Sequence, residues 1–246
     1  MGTIRAISLT VLSCLAPAAV ASDLPPHAVG LTGEDVVVVS TESFLAAHPD
    51  QLYRLKAQGA LKDGDPALAR QYLLQGARFG DKLSQAMLAQ MWWDGRGGET
   101  DRALAYVWMD LAAERNTPLL VVERERFWNA LEPAERERAL RIGGQIFDQY
   151  EDRVAKPRQE RQMRKAQLAT VGSRIAQRSG KMDVCIGNYW LTRDGQPLCN
   201  ERIYAHRFYQ DRFWEPEQYW AWQDQVLHIT TSAPGVEVGS PSSISR

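Results

Sequence analysis

The stretch Ala69-x-x-Tyr72-x-x-x-Gly76-Ala77-x-x-Gly80 returns at an offset of 36 residues as Ala105-x-x-Trp108-x-x-x-Ala112-Ala113-x-x-Asn116. Upstream of it, His48-x-x-x-Leu52-x-x-x-x-x-x-Gly59 returns as Ser84-x-x-x-Leu88-x-x-x-x-x-x-Gly95, and Asp65-Pro66-Ala67-Leu68-Ala69 returns as Asp101-Arg102-Ala103-Leu104-Ala105. A fixed period in this range marks stacked helix pairs, because one pair cannot bury its own apolar face without a neighbour. Leu52 and Leu55 in the first unit, and Leu88, Met91 and Trp92 in the second, fall on one helical stripe. Small residues such as Ala69 and Ala105 let helix axes approach, and one aromatic per unit, Tyr72 or Trp108, fills the gap between neighbours. The expected fold class is mainly α. It is a short α-solenoid of antiparallel helix pairs at about 49–60/66–80, 83–95/101–115 and 119–131/133–150, followed by a small aromatic-rich, disulfide-containing C-terminal module.

The positions Leu88-Ala89, Trp92, Gly95-x-Gly97, Asp101, Ala105, Trp108 and Ala112-Ala113 resemble the Sel-one-like repeat family, relatives of the tetratricopeptide repeat. The resemblance covers residues 47–116; its first unit departs from the pattern, with Tyr53 and Lys56 where the family prefers Gly/Ala and an aromatic. It implies a helix-pair solenoid, often exported in bacteria, that serves as an adaptor for other proteins, and it implies no catalysis. Only two clear units are present, where a solenoid normally has three or more. A step of 36 from Trp92 lands on Trp128, and Glu132-Pro133 opens a further helix, so residues 117–153 read as a degenerate capping helix pair. Gly95-Arg96-Gly97-Gly98 follows a helix and has no adjacent lysine, which makes it a turn and not a phosphate cradle.

Residues 1–21 carry a signal-peptide pattern: Arg5, the apolar run Ala6 to Leu15, and Ala19-Val20-Ala21 as the cleavage site. This pattern predicts a periplasmic or secreted protein and removes Cys14. Residues 22–46 form an N-terminal extension, in which Val36 to Val39 is a β-branched run with strand character and Thr41 caps the next segment. No apolar run approaches the length needed to span a bilayer.

Charge is unevenly spread. Residues 22–153 hold 15 basic and 21 acidic residues, giving −6, whereas 154–181 hold eight basic residues and Glu160, giving +7. The basic helix or linker at 154–181 therefore has two readings. Arg158, Arg161, Arg164 and Lys165 contact an anionic partner or surface, or these cations answer the acidic repeat block of the same molecule.

Residues 182–229 hold Cys185 and Cys199, an even pair flanking an Asp194-Gly195 turn, which reads as one disulfide across a hairpin. A zinc site adding His206 and His228 fits no structural zinc spacing. The same region is dense in aromatics, from Tyr189 and Trp190 through Tyr204, Phe208, Tyr209, Phe213, Trp214, Tyr219, Trp220 and Trp222. These build either the core of a small module or a stacking platform for a sugar or peptide. From residue 230 to 246 the Ser/Pro/Gly-rich composition is that of a disordered tail.

No catalytic motif, metal-ligand spacing or cofactor signature is present, and His27, His48, His206 and His228 stand isolated. Paired carboxylates of a hydrolase carry no short motif to search for. The expectation is an exported, non-catalytic protein-binding adaptor or scaffold of the bacterial cell envelope. Its partner would be another exported or envelope protein, with no nucleic acid and no cofactor. The alternatives are an envelope carbohydrate or peptidoglycan binder and a cryptic cell-wall hydrolase.

Overall fold

The computed structural model describes residues 33–169, 183–191 and 197–231, with 34, 169, 183–191, 197–202 and 229–231 as backbone only. The expected leader, residues 170–182 and nearly all of the expected tail lie outside them. The helices run α1 Gly33–Val39, α2 Glu42–Ala47, α3 Pro49–Lys62, α4 Pro66–Arg78, α5 Lys82–Asp94, α6 Arg102–Ala112, α7 Pro118–Ala130, α8 Pro133–Tyr150 and α9 Asp152–Ala169. The antiparallel strands β1 Asp183–Leu191 and β2 Pro197–Tyr204 follow, then α10 Ala205–Phe208, α11 Asp211–Trp214 and α12 Pro216–Thr231.

The repeat signature works through caps. Asp65 and Asp101, equivalent in the two units, each accept a backbone N–H three residues on, from Leu68 and Leu104 at 2.9 Å. Asp81 does the same for α5 through Ser84, and Pro49, Pro66, Pro118 and Pro133 occupy first-turn positions whose N–H has no helical partner. Gly80 and Asn116, the paired positions that end each unit, both take left-handed backbone, at φ 83° and 57°. Glycine and asparagine are the residues that tolerate it. Gly76 stands where the second unit has Ala112, because a Cβ there would lie 2.6 Å from Ser84 Oγ.

The array's core is small and continuous: Ala57, Ala69, Leu73, Ala77, Leu88, Ala105, Trp108, Leu111 and Ala112 are buried in one cluster. Trp108 meets Tyr150 edge-on at 4.8 Å, as a gap-filling aromatic should, whereas Tyr72 stays half-buried and stacks on Tyr53 at 6.3 Å. The third pair has the expected limits but not a hairpin's packing. Both α7 and α8 pack chiefly on α6, with Ala103, Val107, Leu131 and Ala139 sealing a small separate core.

Two features differ from the sequence reading. Val36–Val39 is helical, because Val38 and Val39 are buried against the C-terminal aromatics, and that packing overrides β-propensity. The C-terminal aromatics do not form a module of their own. Phe208, Phe213, Trp214, Tyr219, Trp220 and Trp222 share one core with Val38, Val39, Phe44, Ala47 and Met163, so the two ends of the described chain close together over α9. The hairpin register sets Cys185 opposite Arg202 and Cys199 opposite Tyr189, with an irregularity between Ile186 and Tyr189. The two cysteines are thus not direct cross-strand partners, and their side chains lie outside the described residues.

Candidate interaction surfaces

The basic helix α9 has one inner and one outer face, as its residue spacing dictates. Ala155, Gln159 and Met163 are buried, and Gln159 donates to the Ala47 carbonyl at 3.4 Å. Trp220 donates to Glu160 at 3.0 Å and Gln167 to the Trp214 carbonyl at 3.3 Å. The helix is therefore held along its length. On the outer face lie Arg161, Arg164, Lys165 and Leu168, the last 67% exposed.

The structure divides the four candidate contact residues. Arg158 donates to the carbonyl of Arg78 at the end of α4 and reaches that of Gln149 at 3.4 Å, so it caps helices within the molecule. Burial, with Arg78 and Arg161 close by, pushes its guanidinium below the ordinary value. Arg161, Arg164 and Lys165 have no carboxylate within ion-pair distance among the described residues. Upstream, Lys156 pairs with Asp152 at 3.2 Å and lies 5.2 Å from the Trp220 ring centre. Within α9 the basic residues thus serve the fold at Lys156 and Arg158 and face outward from Arg161 to Lys165.

Most of the described C-terminal aromatics are core side chains, while Tyr204 and the half-buried Tyr209 reach the surface. Phe213 and Tyr219 are fully buried, and Trp214, Trp220 and Trp222 nearly so. Tyr204 is 57% exposed and stacks on His206 at 5.7 Å.

The buried polar residues gather where α12 meets the array, and sequence reading passed over most of them. His48 stacks on Phe44 at 3.8 Å, and its Nδ1 and Nε2 lie 2.7 and 2.8 Å from the carbonyls of Phe44 and Phe213. Burial pushes its pKa down to about 4, against the pull of those two carbonyls. Tyr219 donates to Asp50 Oδ2 and accepts from Gln51 at 3.1 Å, while Asp50 Oδ1 has no partner. Burial, reinforced by Asp81, raises Asp50 to about 7, although the Tyr219 hydrogen bond and Arg54 oppose it. Arg54 pairs with Asp81, both buried. Beside them Lys82 holds Glu114 at 2.6 Å and Asp152 at 3.0 Å, and Arg115 joins Asp152 at 2.7 Å to Asp224 at 3.0 Å. Burial lowers Lys82, with Asp152 opposing, while Arg115 and Lys82 keep Asp152 well below the usual carboxylate range despite its burial. Such groups leave no sequence signal, because each is an ordinary charged or polar residue whose burial only the tertiary fold creates.

Among the described residues no group of three or more His, Cys, Asp or Glu converges as a metal site, and no helix is long and apolar enough to cross a membrane.

Compared with known proteins, the chain matches no family model and no curated protein. Among solved structures it is similar to a protective antigen present in uropathogenic Escherichia coli strains that displays an SLR fold, at 20% identity and a TM-score of 0.37. That similarity covers 50% of this chain and 28% of the antigen's.

Proposed function

We propose that this chain is a helical-repeat scaffold that binds another protein through the outer face of α9. The observation that carries the reading is the set Arg161, Arg164 and Lys165, exposed with no carboxylate partner among the described residues, beside the exposed Leu168, on a helix whose other face is fixed. Three cations followed along one helix face by an apolar side chain suit an acidic protein surface with a small apolar recess: charge steers the encounter and the leucine supplies contact area. The signal-peptide pattern of residues 1–21 supports export, so the partner is sought among exported or envelope proteins.

The reading assigns no catalysis. Turnover of a cell-wall or peptide substrate by the purified chain, abolished by one carboxylate substitution, would overturn it. The direct test replaces Arg161, Arg164 and Lys165 with glutamate. Partner capture by the tagged chain should fall by at least tenfold and lose its salt dependence while the helical signal is unchanged. Loss of stability with capture intact would return the three cations to a purely internal role.

A further inference from the structure

Residues 205–218 form α10, α11 and the first turn of α12, and their side chains sort by burial. Ala205, Phe208, Phe213 and Trp214 are buried, and Trp214 Nε1 donates to the Phe208 carbonyl at 2.7 Å, which pins the two short helices together. The polar residues are left on the outer side. His206, Tyr209 and Gln210 have the spacing of neighbours on one helical face. With Asp211, Arg212 and Gln218 they wall an open hollow of about 550 Å³, a size usual for small-molecule sites.

This wall offers hydrogen bonds that the fold does not use. Gln210 Oε1 accepts from Arg212 Nε at 2.7 Å, so the Gln210 amide nitrogen is presented as a donor. Arg212 Nη2 is tied to Asp35, while its Nη1 makes no hydrogen bond among the described residues. The side chains of His206 and Gln218 likewise have no hydrogen-bond partner among them. Asp211 adds carboxylate acceptors. Tyr209 supplies an aromatic ring backed by the core, with Phe208 edge-on at 4.9 Å and Trp214 at 5.5 Å.

Donors and acceptors mixed around one supported aromatic ring match a sugar, which carries hydroxyls at its edge and C–H groups on its face. Charge narrows the class. The wall holds one carboxylate, Asp211, and one guanidinium already paired with Asp35. A neighbouring hollow of about 560 Å³ shares Asp211 and Gln218 and adds Glu215 and Glu217, so an anionic ligand is repelled along the continuation.

The geometry points to a binding site for a neutral oligosaccharide. One ring lies on Tyr209 with its hydroxyls on Gln210, Asp211 and Arg212, and the chain runs past Gln218 toward Glu215 and Glu217. Gluco-configured rings suit the site, because their equatorial substituents leave the ring faces apolar. The site shares no residue with the α9 contact and stands or falls without it.

The test titrates the full chain with cellotriose and with tri-N-acetylchitotriose and reads saturation-transfer NMR. At least one sugar should bind, with the strongest transfer to its ring C–H protons. Tyr209→Ala should weaken that binding about tenfold, the loss of one stacked ring. Gln218→Ala, on an exposed side chain, should weaken it several-fold with the helical signal unchanged, and it decides alone if the Tyr209 variant does not fold. Replacing Arg161, Arg164 and Lys165 with glutamate should leave sugar binding as it is, which keeps the two sites apart. No binding of either sugar, binding that survives these substitutions at Tyr209 and Gln218, or equal uptake of the anionic trigalacturonate overturns the proposal.

Discussion

Tyr219 of α12 hands its hydroxyl proton toward Asp50 of α3, 169 residues away in sequence, and this pair ties the C-terminal helix to the repeat array. Both residues are buried, and Gln51 completes the set by donating to the same hydroxyl oxygen. Tyr219→Phe leaves the ring in place and strands Asp50 and Gln51. It should cost about 1–3 kcal/mol in a urea melt with little change in slope, the usual penalty for unpaired buried polar groups. An unchanged midpoint would show that the hydrogen bond contributes nothing net.

The pH dependence of stability follows from two groups that work against each other. Asp50, raised in the fold from 3.8 to about 7, contributes stability that is full below pH 3.8 and is lost as pH rises through 7. His48, lowered from 6.5 to about 4, contributes stability that is full above pH 6.5 and is lost as pH falls through 4. Between about pH 4 and 6.5 the two slopes cancel in part, so the unaltered chain should show a nearly level stability there. Asp50→Asn should expose the histidine alone, with stability falling by up to about 3 kcal/mol on acidification through that window. A level profile in the asparagine variant would contradict the assignment.

Glycine positions separate backbone conformation from crowding. Gly97 has φ 81°, and a Cβ there would sit 2.4 Å from the Pro66 carbonyl oxygen, a backbone atom that cannot turn aside. Gly64 has φ 80° with nothing within 4 Å of the same added atom. Gly64→Ala should therefore cost about 1–2 kcal/mol, the left-handed penalty alone. Gly97→Ala should cost distinctly more, because it adds the clash that joins the second unit's loop to the start of α4. Equal thermal shifts for the two would show that the loop simply moves away.

Much of the array was legible in the sequence because its determinants are local. Asp65 and Asp101 cap, prolines start helices, Gly80 and Asn116 turn the chain, and alanines mark the close approaches. The limits of six helices followed from these signals. What escaped was set by distant packing. Val36–Val39 has the composition of a strand, yet it is a helix because Val38 and Val39 share a core with Phe213 and Trp222, far along the chain. The aromatic-rich region looked self-contained for the same reason, since nothing in its own residues records that Phe44 and Met163 complete its core. The division of Arg158 from Arg161 and Arg164 was equally hidden. All three are arginines on one helix, and only the position of the Arg78 carbonyl withdraws the first.

The most direct measurement of the central claim is site-specific photocrosslinking from position 168, one turn beyond Arg164 and Lys165 on the outer face of α9, in cells that make the chain. The account predicts a defined protein adduct from position 168. That adduct should disappear when Arg161, Arg164 and Lys165 are replaced by glutamate, and it should weaken at high salt. An adduct that persists unchanged in the glutamate variant, or a position 168 that yields no protein adduct while sites elsewhere on the array do, would contradict it.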